Sequence, residues 1–235
     1  MIEVRKLYKN YGPVEVLKGI DIVFNPGEIT AILGPNGSGK TTLIKSILGM
    51  VIPNGGEILL DDNNVLGQWL YRDRISYVPQ IANFPGNLKV NELIKMIRDI
   101  RPGARNHGRL IDILKLQPFL DKKLGALSGG TRQKVNLVLA FMFDAPLIIL
   151  DEPTAGLDPV ALILLKQLIA SEKEKGKTIL ITTHIMNLVE EIADKVVFLL
   201  DGLIYFHGRV SELKEKTGED NLEKAIAAIL KDSYA

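Results

Sequence analysis

Residues 29–50 constrain this chain most. They read ITAILGPNGSGKTTLIKSILGM: a short apolar run, a glycine-rich turn, then apolar residues at helical spacing, with Gly49 where a helix C-cap would fall. The turn, Gly34-Pro35-Asn36-Gly37-Ser38-Gly39-Lys40-Thr41, fits G-x-x-x-x-G-K-[ST]. It lies between a strand and a helix, the context that pattern requires. Glycines let successive backbone N–H groups turn inward around an anion. The helix start adds its dipole and unpaired donors. Lys40 is thereby placed to reach the β and γ phosphates of a nucleotide, and the Thr41 hydroxyl to bind Mg²⁺.

A second constellation lies further on. PLIILDEP ends a buried strand with two acids. Asp151 falls at the strand's carboxyl end, where α/β sheets bind ligands, and it can hold Mg²⁺ directly or through a water. Glu152 can polarise an attacking water. Alone, Asp-Glu-Pro is also a plausible loop. Leu127-Ser128-Gly129-Gly130 opens the apolar segment TRQKVNLVLAFMF. That turn reads as a linker or N-cap, and equally as a second helix N-terminus able to bind a γ-phosphate. A helical insertion separates it from the phosphate loop, which suggests that a partner supplies it in trans.

Around these motifs, strand and helix signals alternate, the pattern of an α/β fold with a mostly parallel sheet. EVLKGIDIVF, ITAIL, GEILLD and ISYVPQ read as strands. From about residue 83 to 144 the pattern is helical, with VNELIKMIRDI and RLIDILKLQPFL amphipathic. Strand-like runs resume at PLIIL, TILITT and KVVFLL, and the tail from Ser211 is charged and helical, with LEKAIAAIL able to cap the core.

At 235 residues, one domain with a small subdomain is the expected size. Twenty-nine Lys and Arg against 28 Asp and Glu argue against a dedicated nucleic-acid binder. There is no cysteine, so disulfides, zinc-thiolate sites and cysteine nucleophiles are impossible. The start, MIEVRKLYKN, has no apolar core of a signal peptide. The longest apolar run, LVLAFMF, falls far short of the roughly 20 residues of a membrane helix. Work at a membrane therefore needs a partner. His107 and His207 have no ligand at metal spacing. Asp61-Asp62 reads as a solvated turn, and SEKEKGK as a solvated helix end. Trp69 either packs under the sheet or faces a partner.

Seven motifs in order resemble the ATP-binding-cassette (ABC) ATPases, the nucleotide-binding subunits of ABC transporters, over nearly the whole chain. The phosphate loop is GPNGSGKTT, from Gly34 to Thr42. Gln80, in YVPQ, is similar to the Q-loop glutamine. LSGGT resembles the signature, with Thr131 standing where Gln is usual. LIILDE resembles Walker B and its following glutamate, Ala155-Gly156-Leu157-Asp158 the D-loop, His184 the switch histidine, and Tyr11 the aromatic that stacks on adenine.

The resemblance implies a P-loop NTPase (RecA-like) core with a mostly parallel sheet, an antiparallel β subdomain and a helical insertion. The expected division is 1–82 and 146–210 for the ATP-binding core, 83–145 for the helical signature subdomain, and 211–235 for the C-terminal tail. It implies ATP and Mg²⁺ as ligands, with Thr41, Gln80 and Asp151 at the metal. It implies a cassette pair burying two ATP molecules, each held by one copy's phosphate loop and the other's Ser128, Gly129 and Gly130, with Asp158 at the same interface. Glu152 is then the general base or the water's orienting group, His184 contacts the γ-phosphate, and Gln80 relays the state of the site. The implied partners are integral membrane permeases on the inner face of the cell membrane, with no nucleic acid. The implied role is powering of transport, of exporter type; the alternative is a soluble ABC ATPase with a non-transport partner. Three segments (LSGGTRQKVN, LAFMFDAPLIILDEPTAGLDPVA and THIMNLVEEIADKVVFLLDG) resemble the cassette ATPases associated with copper-site maturation of nitrous oxide reductase.

Overall fold

The computed structural model describes residues 1–234. Within them the chain begins with three strands, β1 (Ile2–Tyr11), β2 (Val14–Phe24) and β3 (Ile29–Leu33), then α1 (Lys40–Ile47). Strands β4 (Gly55–Leu60), β5 (Asn63–Asn64) and β6 (Ile75–Val78) follow. Three helices come next: α2 (Val90–Ile100), α3 (His107–Ile113) and α4 (Gly129–Phe141). The α/β alternation resumes with β7 (Leu147–Asp151), α5 (Pro159–Glu174), β8 (Thr178–Thr182), α6 (Met186–Ile192) and β9 (Lys195–Leu200). β10 (Leu203–Gly208), α7 (Val210–Thr217) and α8 (Leu222–Tyr234) close it.

Two sheets form. The larger has the order β10-β9-β3-β8-β7-β6, parallel except for the antiparallel β10–β9 pair. The smaller, β2-β1-β4-β5, is antiparallel throughout. The fold is the α/β class expected, with the mostly parallel sheet, the antiparallel sheet and the helical segment between β6 and β7.

Side-chain parity sorts the large sheet's two faces. Ile32, Ile149, Leu180 and Val197 pack with α1 and the small sheet. Their neighbours Leu33, Ile148, Ile179 and Phe198 pack with the helices of the opposite face. Central strands buried on both faces are mostly apolar, as β3 (ITAIL) and β8 (TILIT) are, each buried along its whole length. Leu43, Ile44 and Ile47 anchor α1 on the first face, each worth about 1.5–3 kcal/mol on burial. α8 buries Leu222, Ala225 and Ile226 against the second.

Three elements run against the sequence reading. The start MIEVRKLYKN, read only for its lack of a leader, forms β1. Its alternation is broken by register shifts between Val4 and Leu7, where Lys6 takes φ 45; a bulge of this kind hides a strand from a period-2 pattern. β10 was also missed. SEKEKGK is not simply solvated: Glu172 and Lys177 are buried and ion-paired, and Lys177 also binds Asp144 at 2.8 Å. Charges of opposite sign brought together where the chain leaves α5 bury as a pair what neither would bury alone. Trp69 faces outward at 67% exposure.

Candidate functional site

Parity also builds the site. On β7, Asp151 shares the face of Leu147 and Ile149, the α1 side of the sheet. On β8, Thr182 shares the face of Leu180 and lies in register with Asp151. The Thr182 hydroxyl accordingly donates to Asp151 Oδ1 at 2.5 Å, with both residues buried. Tyr77 of β6 meets the same carboxylate. Burial, joined by the Asp151 charge and hydrogen bond, pushes the Tyr77 phenol up to about 12. On β3, Gly34 continues the parity of Ile32 and starts the phosphate loop. It takes φ 149, and a Cβ there would lie 2.0 Å from the Leu199 carbonyl oxygen. No other residue fits.

The loop carries Lys40 and Thr41 at the start of α1. Lys40 Nζ donates to the carbonyls of Gly34 at 2.7 Å and Pro35 at 3.0 Å. Burial lowers its pKa, and the Glu152 and Asp151 carboxylates oppose that shift. A cavity of about 360 Å³ opens here, within the range of small-molecule sites. It is lined by Val14 and Val16, by residues 36–42, and by Gln80, Asp151 and Glu152. Loop residues Asn36, Gly37, Ser38, Gly39, Lys40, Thr41 and Thr42 thus meet Gln80, Asp151 and Glu152 in one space.

Glu152 leaves β7 with φ 49, a left-handed backbone in a non-glycine residue. Such strain costs on the order of 1–3 kcal/mol and persists only where neighbours impose it. Here Glu152 N–H bonds Thr182 through both its carbonyl and its hydroxyl, each at 3.0 Å. The Glu152 side chain meets His184: Nδ1 and Oε2 are 3.0 Å apart. A carboxylate only accepts, so Nδ1 carries the proton of that bond. His184 is 79% exposed, Glu152 only 14%.

Ser128, Gly129 and Gly130 line no part of this cavity. Ser128 caps α4, its Oγ accepting from Thr131 N at 3.2 Å. The Thr131 hydroxyl also lies 2.8 Å from Ser128 Oγ, so Thr131 reinforces the cap. Asp158 caps α5 through Ala161 N and pairs with Lys134 at 2.8 Å. That Lys134 hydrogen bond holds the Asp158 carboxyl below its ordinary value. Tyr11 ends β1, half exposed, with the Lys9 ammonium 5.0 Å from its ring centre; it stands outside the cavity lining.

Val14, Val16, Tyr77 and Thr182 were not singled out from sequence. The valines sit two apart on β2, so they share a face. Thr182 was findable as the last residue of a strand running beside the one that ends in Asp151.

A loop of this form between β3 and α1, with acids at the end of β7, defines a P-loop nucleotide-binding protein. Residues 17–155 match the family model "ABC transporter". Nod factor export ATP-binding protein I of Rhizobium meliloti (strain 1021) is 38% identical over 92% of this chain and 67% of its own length. The xylose/arabinose import ATP-binding protein XylG of Sulfolobus acidocaldarius is 31% identical over 97% and 94%. The solved ATP-binding subunit of an ABC transporter superposes with TM-score 0.90 at 29% identity, covering 98% of this chain and 99% of that one. A dimeric bacterial ABC transporter cassette gives 0.80 at 27%, covering 89% and 99%. This chain belongs to the ABC transporter ATP-binding family: it is an ATP-binding, ATP-hydrolysing transporter subunit. Among the described residues no helix is long and apolar enough to cross a membrane.

Proposed function

We propose that the cavity at the phosphate loop binds ATP with Mg²⁺, and that hydrolysis needs a second cassette. One observation carries this reading. Lys40, Thr41, Gln80, Asp151 and Glu152 line one cavity, while the Ser128–Gly129–Gly130 turn lies outside it. The donors suit a hard cation: a hydroxyl, an amide carbonyl and a carboxylate are all oxygen ligands. Thr41, Gln80 and Asp151 would hold the metal, which when bound neutralises phosphate charge. Thr182 and Tyr77 keep the Asp151 carboxylate oriented.

In this reading the loop N–H groups and Lys40 bind and orient the phosphates. Val14 and Val16 supply an apolar wall, and Tyr11 stacks on the base. Glu152 takes a proton from water as the water oxygen attacks the γ-phosphorus and the bond to the β-phosphate oxygen breaks. His184, bonded to Glu152, fixes that carboxylate and reaches the γ-phosphate. General-base assistance supplies about 10²–10⁴-fold; the rest is positioning and charge stabilisation. Ser128, Gly129 and Gly130 of a second copy close over the γ-phosphate, with Asp158 beside them.

Residues 1–82 and 146–210 form the ATP-binding core in this proposal, 83–145 the signature part and 211–235 the tail. The dimeric cassette at TM-score 0.80 supports the pairing. The chain works at the inner face of the cell membrane, docked on integral membrane permeases. Export is the favoured direction, supported by the higher identity to the Nod factor exporter than to the sugar importer. The likeness to cassettes of copper-site maturation carries no part of the proposal.

Glu152→Gln tests the reading. It removes the proton acceptor and keeps the size of the side chain. The expected variant turns over ATP at least about a hundredfold more slowly and elutes as a dimer with MgATP. A variant that stays monomeric at saturating MgATP contradicts the paired site.

A further inference from the structure

We propose that Gln133 is a positioning residue for hydrolysis: from α4 it holds the turn that presents Glu152. The inference rests on the reading of Glu152 as the group that activates water.

The turn itself is short and strained. The Glu152 carbonyl accepts from Ala155 N at 3.3 Å, which puts Pro153 and Thr154 at its centre. Glu152 enters it with φ 49. Two bonds to Thr182 fix the Glu152 N–H on the β8 side. They leave the peptide that follows Pro153 to be held by something else. Pro153 has no N–H, so its carbonyl is the only backbone handle it offers.

Gln133 takes that handle. Its Nε2 donates to the Pro153 carbonyl at 2.9 Å, and the residue is 5% exposed. A carbonyl can only accept, so the bond dictates which way the amide faces. Its Oε1 then accepts from Asn136 Nδ2 at 3.1 Å, and Asn136 is 8% exposed. The two amides form a buried chain, Asn136 to Gln133 to Pro153. An unmade bond there costs the full desolvation of the group left behind.

Two neighbours keep α4 against the same segment. Gly130 lies so close that a Cβ would sit 2.3 Å from the Gly156 carbonyl oxygen. Lys134 Nζ pairs with Asp158 at 2.8 Å. Both contacts fall at or beyond Gly156. Gln133 alone of the three grips the residue next to Glu152, and it does so from a buried position. Its loss should loosen the carboxylate's carrier while leaving the phosphate loop, on the far side of β7, untouched.

Gln133→Met keeps volume and removes the donor. The expected result is a kcat for ATP about tenfold lower, with KM and MgATP affinity within about twofold of the parent. The decisive readout is a double-mutant cycle with Glu152→Gln, measured as single-turnover rates. If Gln133 acts through Glu152, adding Gln133→Met to Glu152→Gln slows hydrolysis no further. An equal tenfold loss in both backgrounds overturns the proposal, as does an unchanged kcat in the single variant. Should Gln133→Met not fold, Asn136→Ala replaces it: alanine suits mid-helix and only frees the Gln133 amide to turn. It should lower kcat about threefold at constant KM, and an unchanged kcat overturns the proposal. If Glu152→Gln itself retains parental turnover, the reading of Glu152 fails first and this inference with it; a normal Gln133→Met beside a dead Glu152→Gln fails this inference alone.

Discussion

The chain carries two glycine-rich helix starts, and their surroundings are unlike. Before α1, Gly34 is pressed on the Leu199 carbonyl, Lys40 is partly buried, and two carboxylates face the loop across a cavity. Before α4, Ser128 and Gly129 are exposed, and the Ser128 hydroxyl is engaged by its own helix through Thr131. The first start opens into a cavity lined by the loop and both carboxylates. The second presents helix N–H groups to the outside. The difference teaches where the proposed paired site divides: if one copy brings the pocket and a second copy the closing turn, the largest effects of mutation should divide between binding and closure.

Lys40→Ala strikes the pocket half and should have the largest effect. It removes an ammonium that lines the cavity and feels both carboxylates. Losing a preorganised charged donor of this kind costs about 10²–10³ in rate. Phosphate release should therefore fall at least a hundredfold. Normal turnover would break the comparison at its first term, since the loop would then not be the site of chemistry.

Ser128→Arg strikes the other half. Nothing in the cavity touches Ser128, so ATP affinity of the isolated monomer should stay within about twofold. Turnover should fall about tenfold or more, because a bulky cation replaces a small cap at the proposed closing surface; removing the cap alone is worth only about 0.5–2 kcal/mol. Titration with a fluorescent ATP analogue, beside phosphate release on the same preparation, separates the two effects. A parallel loss of monomer affinity would mean that the turn serves its own chain's nucleotide.

What the sequence made readable follows the same division. The phosphate loop, Asp151 with Glu152, and the SGG turn were legible because each is a contiguous motif beside an apolar segment. Sheet order and register were not, yet they set the chemistry: Thr182 reaches Asp151 only because β8 lies beside β7 in a register that pairs them. The left-handed Glu152 is invisible in a string of letters, since nothing local requires it; β8 and α4 impose it. Gln133 and Pro153 are 20 residues apart, on a helix and a turn, and no spacing rule joins them. β1 escaped because its bulge at Lys6 breaks the alternation.

The smallest effect on activity sharpens the comparison from outside both halves. Lys177 lies just before β8 and binds Glu172 and Asp144. Burial would lower its pKa, but the hydrogen bonds to Asp144 and Glu172 prevail and raise it above 10.5. The Lys177 hydrogen bond in turn holds the Asp144 carboxyl below 3.8. The raised lysine contributes stability in full below pH 10.5 and loses it as pH climbs through its folded value. The lowered carboxylate contributes in full above pH 3.8 and loses it as pH drops through its own. Lys177→Met should therefore destabilise the fold between those limits and converge on the parent beyond each. On that plateau the cost should be about 2 kcal/mol, below the roughly 3–5 kcal/mol of an abandoned buried charge, because Lys175 still pairs with Glu172 at 2.5 Å. Urea unfolding at stepped pH reads the difference, with ATP turnover at neutral pH unchanged. A gap between variant and parent that persists undiminished at pH 3 would show that packing, and not the ion pair, fixes this corner of the core.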